Sequence, residues 1–245
     1  MRTNRRTILG QLAAGTGGLA LGCGGAPPPE PAPPPTDGAE AGGPRARIAR
    51  EHEAVPLPFD PTTLDGLSER LITSHHDNNY AGAVRKLNEC RRRIAGTPAD
   101  APGFVFGALA KSELVFANSV MLHELYFENL GGDGADRSRA FGAATTAVFG
   151  DATAWEADLR RCAMSLAGGS GWVIVAWDAH RGELAHRVCS DHGHAGAFDV
   201  PLLVLDMYEH SYHLDHGADA ARYVEAFMAN VRWDVVERRL ARATG

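Results

Sequence analysis

The sequence has few cysteines, and none of them lie close together in the chain. The 245 residues contain only Cys23, Cys90, Cys162 and Cys189. Disulfide frameworks and cysteine-based zinc sites depend on paired or closely spaced cysteines. Three thiols remain once Cys23 is assigned to a leader segment, so neither kind of site is predicted. The remaining cysteines are expected to be buried as small apolar side chains.

The chain also lacks an excess of positive charge. It carries 24 Lys and Arg against 30 Asp and Glu, for a formal net charge of −6. Residues 1–22 contain arginines but no acidic residue, so the rest of the chain is more negative still. Nonspecific nucleic-acid binding needs a basic surface that neutralises phosphates. No nucleic-acid partner is expected, whereas an apolar share of 44% is normal for a protein with a buried core.

The N-terminus lacks an apolar run long enough to be a convincing membrane span. Residues 1–23 join the pair Arg5 and Arg6 to a Gly/Ala/Leu-rich run over 8–21, which is shorter than the ~20 apolar residues that a span needs. The pattern is typical of a twin-arginine export signal. The run ends in Leu-Ala-Leu-Gly-Cys, similar to a lipobox, so Cys23 is a possible lipid attachment site. The protein is expected to be exported, either periplasmic or attached to the cell envelope.

Composition divides the rest of the chain into three parts. Residues 24–50 are dominated by Gly, Ala and Pro, and they are predicted to be a linker because they have almost nothing to bury. A helical hairpin domain is predicted for 51–134 and an α/β domain for 135–245.

Hydrophobic periodicity predicts the helices. Apolar residues recur at helical spacing over 64–94 and over 104–130, and a short loop between the two runs predicts an antiparallel hairpin. Shorter helices are predicted at 136–148, 151–166, 217–230 and 233–243.

Three segments of the second half have the sequence patterns of strands. Residues 172–177 and 184–189 flank a turn and predict a β-hairpin, and 201–205 is a fully apolar third strand. The predicted fold class is therefore α+β, with an N-terminal α-helical hairpin followed by an α/β domain that contains a three-stranded antiparallel sheet.

Four of the polar residues occupy positions that suggest a metal site. Asp206 ends the apolar third strand, where burying a carboxylate without a partner is costly. A cation would supply that partner, and His210 follows four residues later. His75 and His123 lie in the two long helices, which a hairpin can bring to the same level. The alternative for His123 is an ordinary packed side chain of an amphipathic helix, and periodicity alone leaves this open.

Five segments between Leu57 and about Leu240 resemble, in the same order, motifs of the iron/manganese superoxide dismutases. They include the paired histidines of the first helix, the histidine motif of the second helix, a Gly-Ser-Gly-Trp stretch, and a signature of Asp-x-Trp-Glu-His-x-Tyr type. The segments are SHHDNNYAGAVRKLN, MLHELYFENL, FGDATAWEADLRRCAMSLAGGSGW, LDMYEHSYHLDHG and RYVEAFMANVRWD.

The resemblance implies a metal site and a reaction. The family's ligand positions fall on His75, His123, Asp206 and His210. Three imidazoles and one carboxylate suit one iron or manganese ion rather than a soft metal. The family keeps a solvent molecule in the fifth position and converts superoxide, a small anionic substrate, to dioxygen and hydrogen peroxide. A superoxide dismutase with one Fe or Mn ion per subunit is therefore expected.

The chain departs from the family at the entrance to the site. The family's gateway tyrosine falls on Ala83, and its gateway histidine falls on Asn79. The nearest phenol is that of Tyr80. Either Tyr80 substitutes for the gateway tyrosine, or the path to the metal is more open.

A second departure concerns the glutamine that hydrogen-bonds the metal-bound solvent in common family members. One of its two positions is Ser119 here, which is too short to reach. At the other position, counting along the end of the second strand predicts His194 as the tuning residue, with His192 one register away. The alternative is that both are loop histidines that face water.

The resemblance also implies a homodimer, with contacts through Glu209, His210 and His213. Glu209 would contact His210 of the other subunit, and Asn79 would face His213 across the interface. In the family, tryptophans line the metal cavity. In this chain all but one of these positions hold other residues. These wall residues are Phe127, Ile174, Tyr208 and the retained Trp172.

Two other functions compete with this reading. One is a mononuclear non-haem iron oxygenase that uses two histidines and a carboxylate, but such sites need open metal positions and a pocket for an organic substrate. The other is a catalytically silent metal-binding surface lipoprotein. A complete set of four ligands disfavours both.

Overall fold

The computed structural model describes residues 51–245 except residues 136, 138 and 195. The predicted signal segment 1–23 and the predicted linker 24–50 lie outside the described residues.

The predicted helical hairpin is present. Its first arm consists of α1 (Glu69–Ser74), a π-helical turn (His75–Tyr80) and α2 (Ala81–Ala95), which follow one another without a break. Its second arm is the long helix α3 (Gly103–Glu128), which packs along α2. The two arms bring the predicted ligands His75 and His123, one from each arm, close to each other.

The π-helical turn was not predicted from the sequence. At its end the backbone N–H of Ala81 bonds the carbonyl of His76, five residues earlier. Such wide turns are rare and occur often at functional sites. Here the wide turn begins at His75, so it changes the directions of the side chains that follow this candidate ligand.

The helices of the second half agree with prediction to within a few residues at most boundaries. Asp151 is the N-cap of α5 (Ala152–Met164), as expected, and its carboxylate accepts from the backbone N–H of Ala154 at 2.7 Å. The predicted helix at 217–230 is observed at Ala220–Ala229, and a short helix that was not predicted, His213–His216, precedes it. Gly217, with a positive φ of 56°, separates the two. The observed helices are α4 (Arg139–Phe149), α5 (Ala152–Met164), α6 (His213–His216), α7 (Ala220–Ala229) and α8 (Trp233–Thr244).

The three predicted strands form one antiparallel sheet. Strand β1 (Trp172–Asp178) lies in the centre, between β2 (Glu183–Cys189) and β3 (Asp199–Asp206). The turn between β1 and β2 is closed by the carboxylate of Asp178, which accepts from the backbone N–H groups of the following residues. The register shifts near Pro201, which has no N–H for the ladder.

The sheet is the centre of the core. Residues of β1 from Trp172 to Ala176 are at most 3% exposed. Helices α3 and α8 pack against β3, while α4 and α5 pack against β2. This arrangement brings the carboxyl end of β3 next to the helical hairpin, so that Asp206 lies beside α3 and the π-helical turn.

Helix α3 has the length and apolar composition of a membrane-crossing helix. Its second half is nevertheless a core element, because Val120, Tyr126 and Phe127 are buried. Its first half exposes Phe104 to 80%. The apolar residues at 104–130 are thus explained in part by the packing of α3 against α2 and β3.

Candidate metal centre

Asp206 is fully buried at the end of β3, paired in register with Trp172 of β1. Its Oδ1 accepts from the backbone N–H of Tyr208 at 2.8 Å, and its backbone carbonyl accepts from the hydroxyl of Tyr223 at 2.7 Å. The hydroxyl of Ser211 donates to the same carbonyl at 2.9 Å. These bonds fix the carboxylate so that Oδ2 faces the helical hairpin.

Three histidines surround that oxygen. The Nε2 atoms of His75, His210 and His123 lie 3.1, 3.2 and 3.8 Å from Oδ2 of Asp206. The candidate ligand atoms of all four residues lie within 4.8 Å of one another. The structure therefore brings together the four residues that the sequence predicts as metal ligands.

Some ring nitrogens of the buried histidines form no hydrogen bond with the described residues. Nδ1 of His123 lies 2.6 Å from the carbonyl of Ser119, to which it donates, so the lone pair of its neutral ring is on Nε2. Within the described part of the chain, this Nε2 and both ring nitrogens of His75 have no hydrogen-bond partner. Buried polar atoms are normally satisfied. A cation among the four side chains would satisfy the Nε2 atoms, so the residues fit a bound metal.

The protonation states suit a metal as well. Burial lowers the pKa of His75, and it lowers the pKa of His123 to about 3. Burial opposes ionisation of Asp206, but the neighbouring His210 and His75 hold the pKa of its carboxyl below the ordinary value. At neutral pH the centre therefore offers neutral imidazoles and a carboxylate, which is a donor set for iron or manganese.

Aromatic rings wall the centre, as the resemblance implies. The ring of Trp172 meets that of His123 edge-on at 5.1 Å, and the ring of Phe127 lies 5.0 Å from that of His75. The ring of Tyr208 stacks on that of His210 at 5.3 Å. Ile174 is buried in β1. These side chains line the ligand cluster.

His194, the predicted tuning residue, lies at the surface. Its side chain is 64% exposed and lies 2.8 Å from the carboxylate of Asp191. His192 instead stacks on Tyr208 at 4.9 Å, with its ring 6.3 Å from that of His123. The reason is a turn after β2, closed by the N–H of Gly193 on Asp191, which ends the strand alternation that the count assumed.

Trp172 fixes the orientation of the His192 ring. The indole N–H donates to Nδ1 of His192 at 2.9 Å. Burial lowers the pKa of His192, so its ring is neutral at physiological pH and carries its proton on Nε2. The side-chain amide of Asn118 holds the backbone of His192 by donating to its carbonyl at 2.7 Å. His192 therefore presents a donor near the ligands without being a ligand.

Tyr80 does not offer a free gateway hydroxyl. Its ring lies 6.2 Å from that of His123, but its hydroxyl donates to Glu124 at 2.8 Å and accepts from the N–H of Val55 at 2.7 Å. Asn79 is half-buried, and its side chain forms no hydrogen bond with the described residues. Ala83 is buried in the core. The expected substitution of Tyr80 for the gateway tyrosine is therefore not supported by this geometry.

A network around Glu124 was missed from the sequence. The carboxylate of Glu124 accepts from Tyr80 and lies 2.6 Å from Nε2 of His52. His52 also exchanges backbone hydrogen bonds with the side chain of Asn88. The available signal was a single carboxylate in the otherwise apolar stretch MLHELYF, directly after His123.

Comparison with known proteins supports the assignment of this centre. Residues 137–239 match the family model described as "Iron/manganese superoxide dismutases, C-terminal domain". The chain is similar to "Superoxide dismutase [Fe]" of Cupriavidus metallidurans, at 45% identity over 78% of this chain and 98% of the relative. It is also similar to "Superoxide dismutase [Mn] 1" of Halobacterium salinarum, at 30% identity over 79% of this chain and 96% of the relative.

We expect acid to destabilise the metal-stripped protein through the centre. The pKa of His123 is 6.5 ordinarily and about 3 in the folded chain, so between these values the unfolded state binds more protons. Stability therefore falls as the pH falls from 6.5 towards 3, by about 2 kcal/mol at pH 5 for this residue. Urea denaturation at several pH values measures it. The change in unfolding free energy per pH unit should be smaller in His123→Gln than in the wild type, whereas His180→Gln, an exposed control, should keep the wild-type value. The same pH dependence in His123→Gln and the wild type would contradict the assignment.

Proposed function

Because the chain belongs to the iron/manganese superoxide dismutase family, we propose that its metal centre converts superoxide to dioxygen and hydrogen peroxide. The observation that carries this function is the set of four ligand atoms within 4.8 Å of one another around a fully buried carboxylate. The 45% identity to an iron superoxide dismutase extends over nearly the whole of that relative.

The resident metal and the protein divide the chemistry. When bound, the ion supplies a one-electron couple, through which one superoxide is oxidised to dioxygen and a second, with two protons, is reduced to hydrogen peroxide. The side chains of His75, His123, Asp206 and His210 would hold one iron or manganese ion. The protein's own contribution is to set the potential between the two half-reactions and to supply hydrogen bonds beside the ion.

His192 is the best-placed group for that second task. Its Nδ1 accepts from Trp172, so the Nε2–H of its neutral ring is available as a donor. The ring stacks on Tyr208 and faces His123, which keeps it in the wall of the centre. This donor supports a hydrogen bond to the solvent that the family keeps beside the metal. His192 would thus place an imidazole where common family members have the side-chain amide of a glutamine, so activity with both iron and manganese is expected.

The competing functions lack comparable support. An oxygenase with two histidines and a carboxylate needs open metal positions, whereas a third histidine is present at the same oxygen of Asp206. A catalytically silent metal-binding lipoprotein would use the four ligands, but it would not need the oriented donor of His192. The superoxide dismutase function accounts for all of these features.

A direct superoxide decay assay tests the function and the tuning residue together. Protein loaded separately with iron and with manganese should be active with each, and His123→Ala should lose the metal and the activity. We expect His192→Gln to keep the metal but to change the ratio of the two activities by roughly tenfold or more. His194→Gln is the matched control and should change little. Lack of activity with either metal would refute the function, and an unchanged ratio in His192→Gln would refute the tuning residue.

We infer that two chains associate through the surface beside His210. Glu209 and His213 are exposed there, and the His210 side chain is 25% exposed although it is a candidate ligand. A homodimer would place Glu209 against His210 of the other subunit and Asn79 near His213. Such contacts would cover the open edge of the metal centre.

Sedimentation measurements over a range of concentrations test the dimer. The double variant Glu209→Ala, His213→Ala should raise the dissociation constant of the dimer at least about thirtyfold, since truncating one partner of an interfacial charge pair costs ~2 kcal/mol or more. Glu237→Ala, an exposed residue of α8, is the control. An unchanged dissociation constant in the double variant, or a wild-type monomer, would contradict the proposal.

We propose that the protein is exported through its paired arginines, with the Gly/Ala/Pro-rich segment as a spacer before the enzyme. The supporting features are Arg5 and Arg6 ahead of the weakly apolar run and the lipobox-like sequence at Cys23. An envelope-attached or periplasmic enzyme would remove superoxide outside the cytoplasm.

Fractionation of cells tests the location. Changing Arg5 and Arg6 to lysine should leave the precursor in the cytoplasm, whereas Arg2→Lys, which keeps the pair, should not. Export that survives the double change would assign the signal to another pathway. Mass spectrometry of the mature N-terminus then distinguishes a lipidated Cys23 from a free one.

A further inference from the structure

A second group of potential ligands lies outside the redox centre. It consists of Asp158 and Cys162 of α5 and His186 of β2. One ligand atom from each, a carboxylate oxygen, a thiol sulfur and an imidazole nitrogen, lies within 4.8 Å of the other two. Spacing among the cysteines could not reveal this group, because only one of its members is a cysteine.

Secondary structure brings the three residues together. Asp158 and Cys162 are four residues apart in α5, so their side chains lie on one face of the helix. Helix α5 packs against strand β2, which contains His186. This packing fixes the distance between His186 and the pair Asp158 and Cys162.

The ring of His186 is held firmly. It stacks on Phe149 at 4.7 Å and contacts Trp155 at 5.6 Å, and its side chain is only 2% exposed. Nδ1 lies 2.9 Å from Oδ2 of Asp158. Nε2 is buried and has no hydrogen-bond partner among the residues that the structure describes. The nitrogen that faces Asp158 is Nδ1, so the ring offers this atom to the group, and an ion bound there leaves the ring proton on Nε2.

The other two side chains leave access from solvent. The side chain of Asp158 is 35% exposed, and its Oδ1 bonds Arg161 at 2.9 Å. Cys162 is reduced and half-buried, and no hydrogen bond to its thiol is found in the described part of the chain. The group is therefore preformed by the core on one side and open to an incoming ion on the other.

The donor set identifies the class of ion. A thiolate, an imidazole and a carboxylate with room for a further ligand suit tetrahedral zinc, whereas manganese and iron prefer the oxygen and imidazole donors of the redox centre. We propose that Asp158, Cys162 and His186 bind one zinc ion, which ties α5 to β2. The thiol proton is displaced to solvent when the ion binds.

Cobalt(II) is the probe, because a thiolate ligand gives it a near-ultraviolet charge-transfer band. The full chain carries Cys23→Ser in every arm, and its redox centre is first filled with manganese. One further equivalent of cobalt should then bind with the band, and zinc should displace it. Cys162→Ser should abolish the band, Cys90→Ser should keep it, and Asp158→Asn should weaken binding at least about tenfold.

Manganese content and superoxide dismutation separate this site from the redox centre. Both should be unchanged in Cys162→Ser, which also shows that the variant is folded. No band at millimolar cobalt would overturn the proposal and leave Asp158 and His186 as a hydrogen-bonded pair. A band that persists in Cys162→Ser, or undiminished binding in Asp158→Asn, would overturn it as well.

Discussion

A fully buried carboxylate, that of Asp206, is the constraint on which the metal centre and much of the fold depend. A charge in that position is tolerated only with partners. Three elements contribute these partners: the segment after β3 supplies the N–H of Tyr208 and the ring of His210, the π-helical turn supplies the ring of His75, and α3 supplies the ring of His123. The elements must meet at this point because the carboxylate cannot remain alone there.

The four candidate ligands could be named from the sequence because the resemblance to the family supplied their positions, whereas periodicity alone left His123 open. Asp206 lies at the end of an apolar strand, and His75 and His123 lie in long periodic helices, so each position is fixed by a regular element. Errors in helix boundaries of a few residues do not move such side chains to another face. The three strands and the cap at Asp151 followed from local signals, namely apolar runs, a turn and an aspartate before a helix.

The residues around the ligands could not be predicted in the same way. His194 was preferred over His192 by counting along a strand, but the turn at Asp191 had already ended the alternation. The hydroxyl of Tyr80 is held by Glu124 and Val55, contacts between segments far apart in the sequence. The Asp158 and Cys162 pair became recognisable only when β2 placed His186 beside it. In each case a tertiary contact, and not local periodicity, decides where the side chain points.

The electrostatics of the centre resolve an apparent conflict between an anionic substrate and a chain of net charge −6. Surface charges are screened within about 10 Å at moderate ionic strength, so the overall charge has little influence on an anion near the site. Burial keeps His75 and His123 neutral, and Asp206 supplies one negative charge. A divalent or trivalent ion held by this set retains an excess of positive charge in a surrounding of low dielectric. The same desolvation that makes the imidazoles good ligands therefore gives the site the local potential that attracts superoxide.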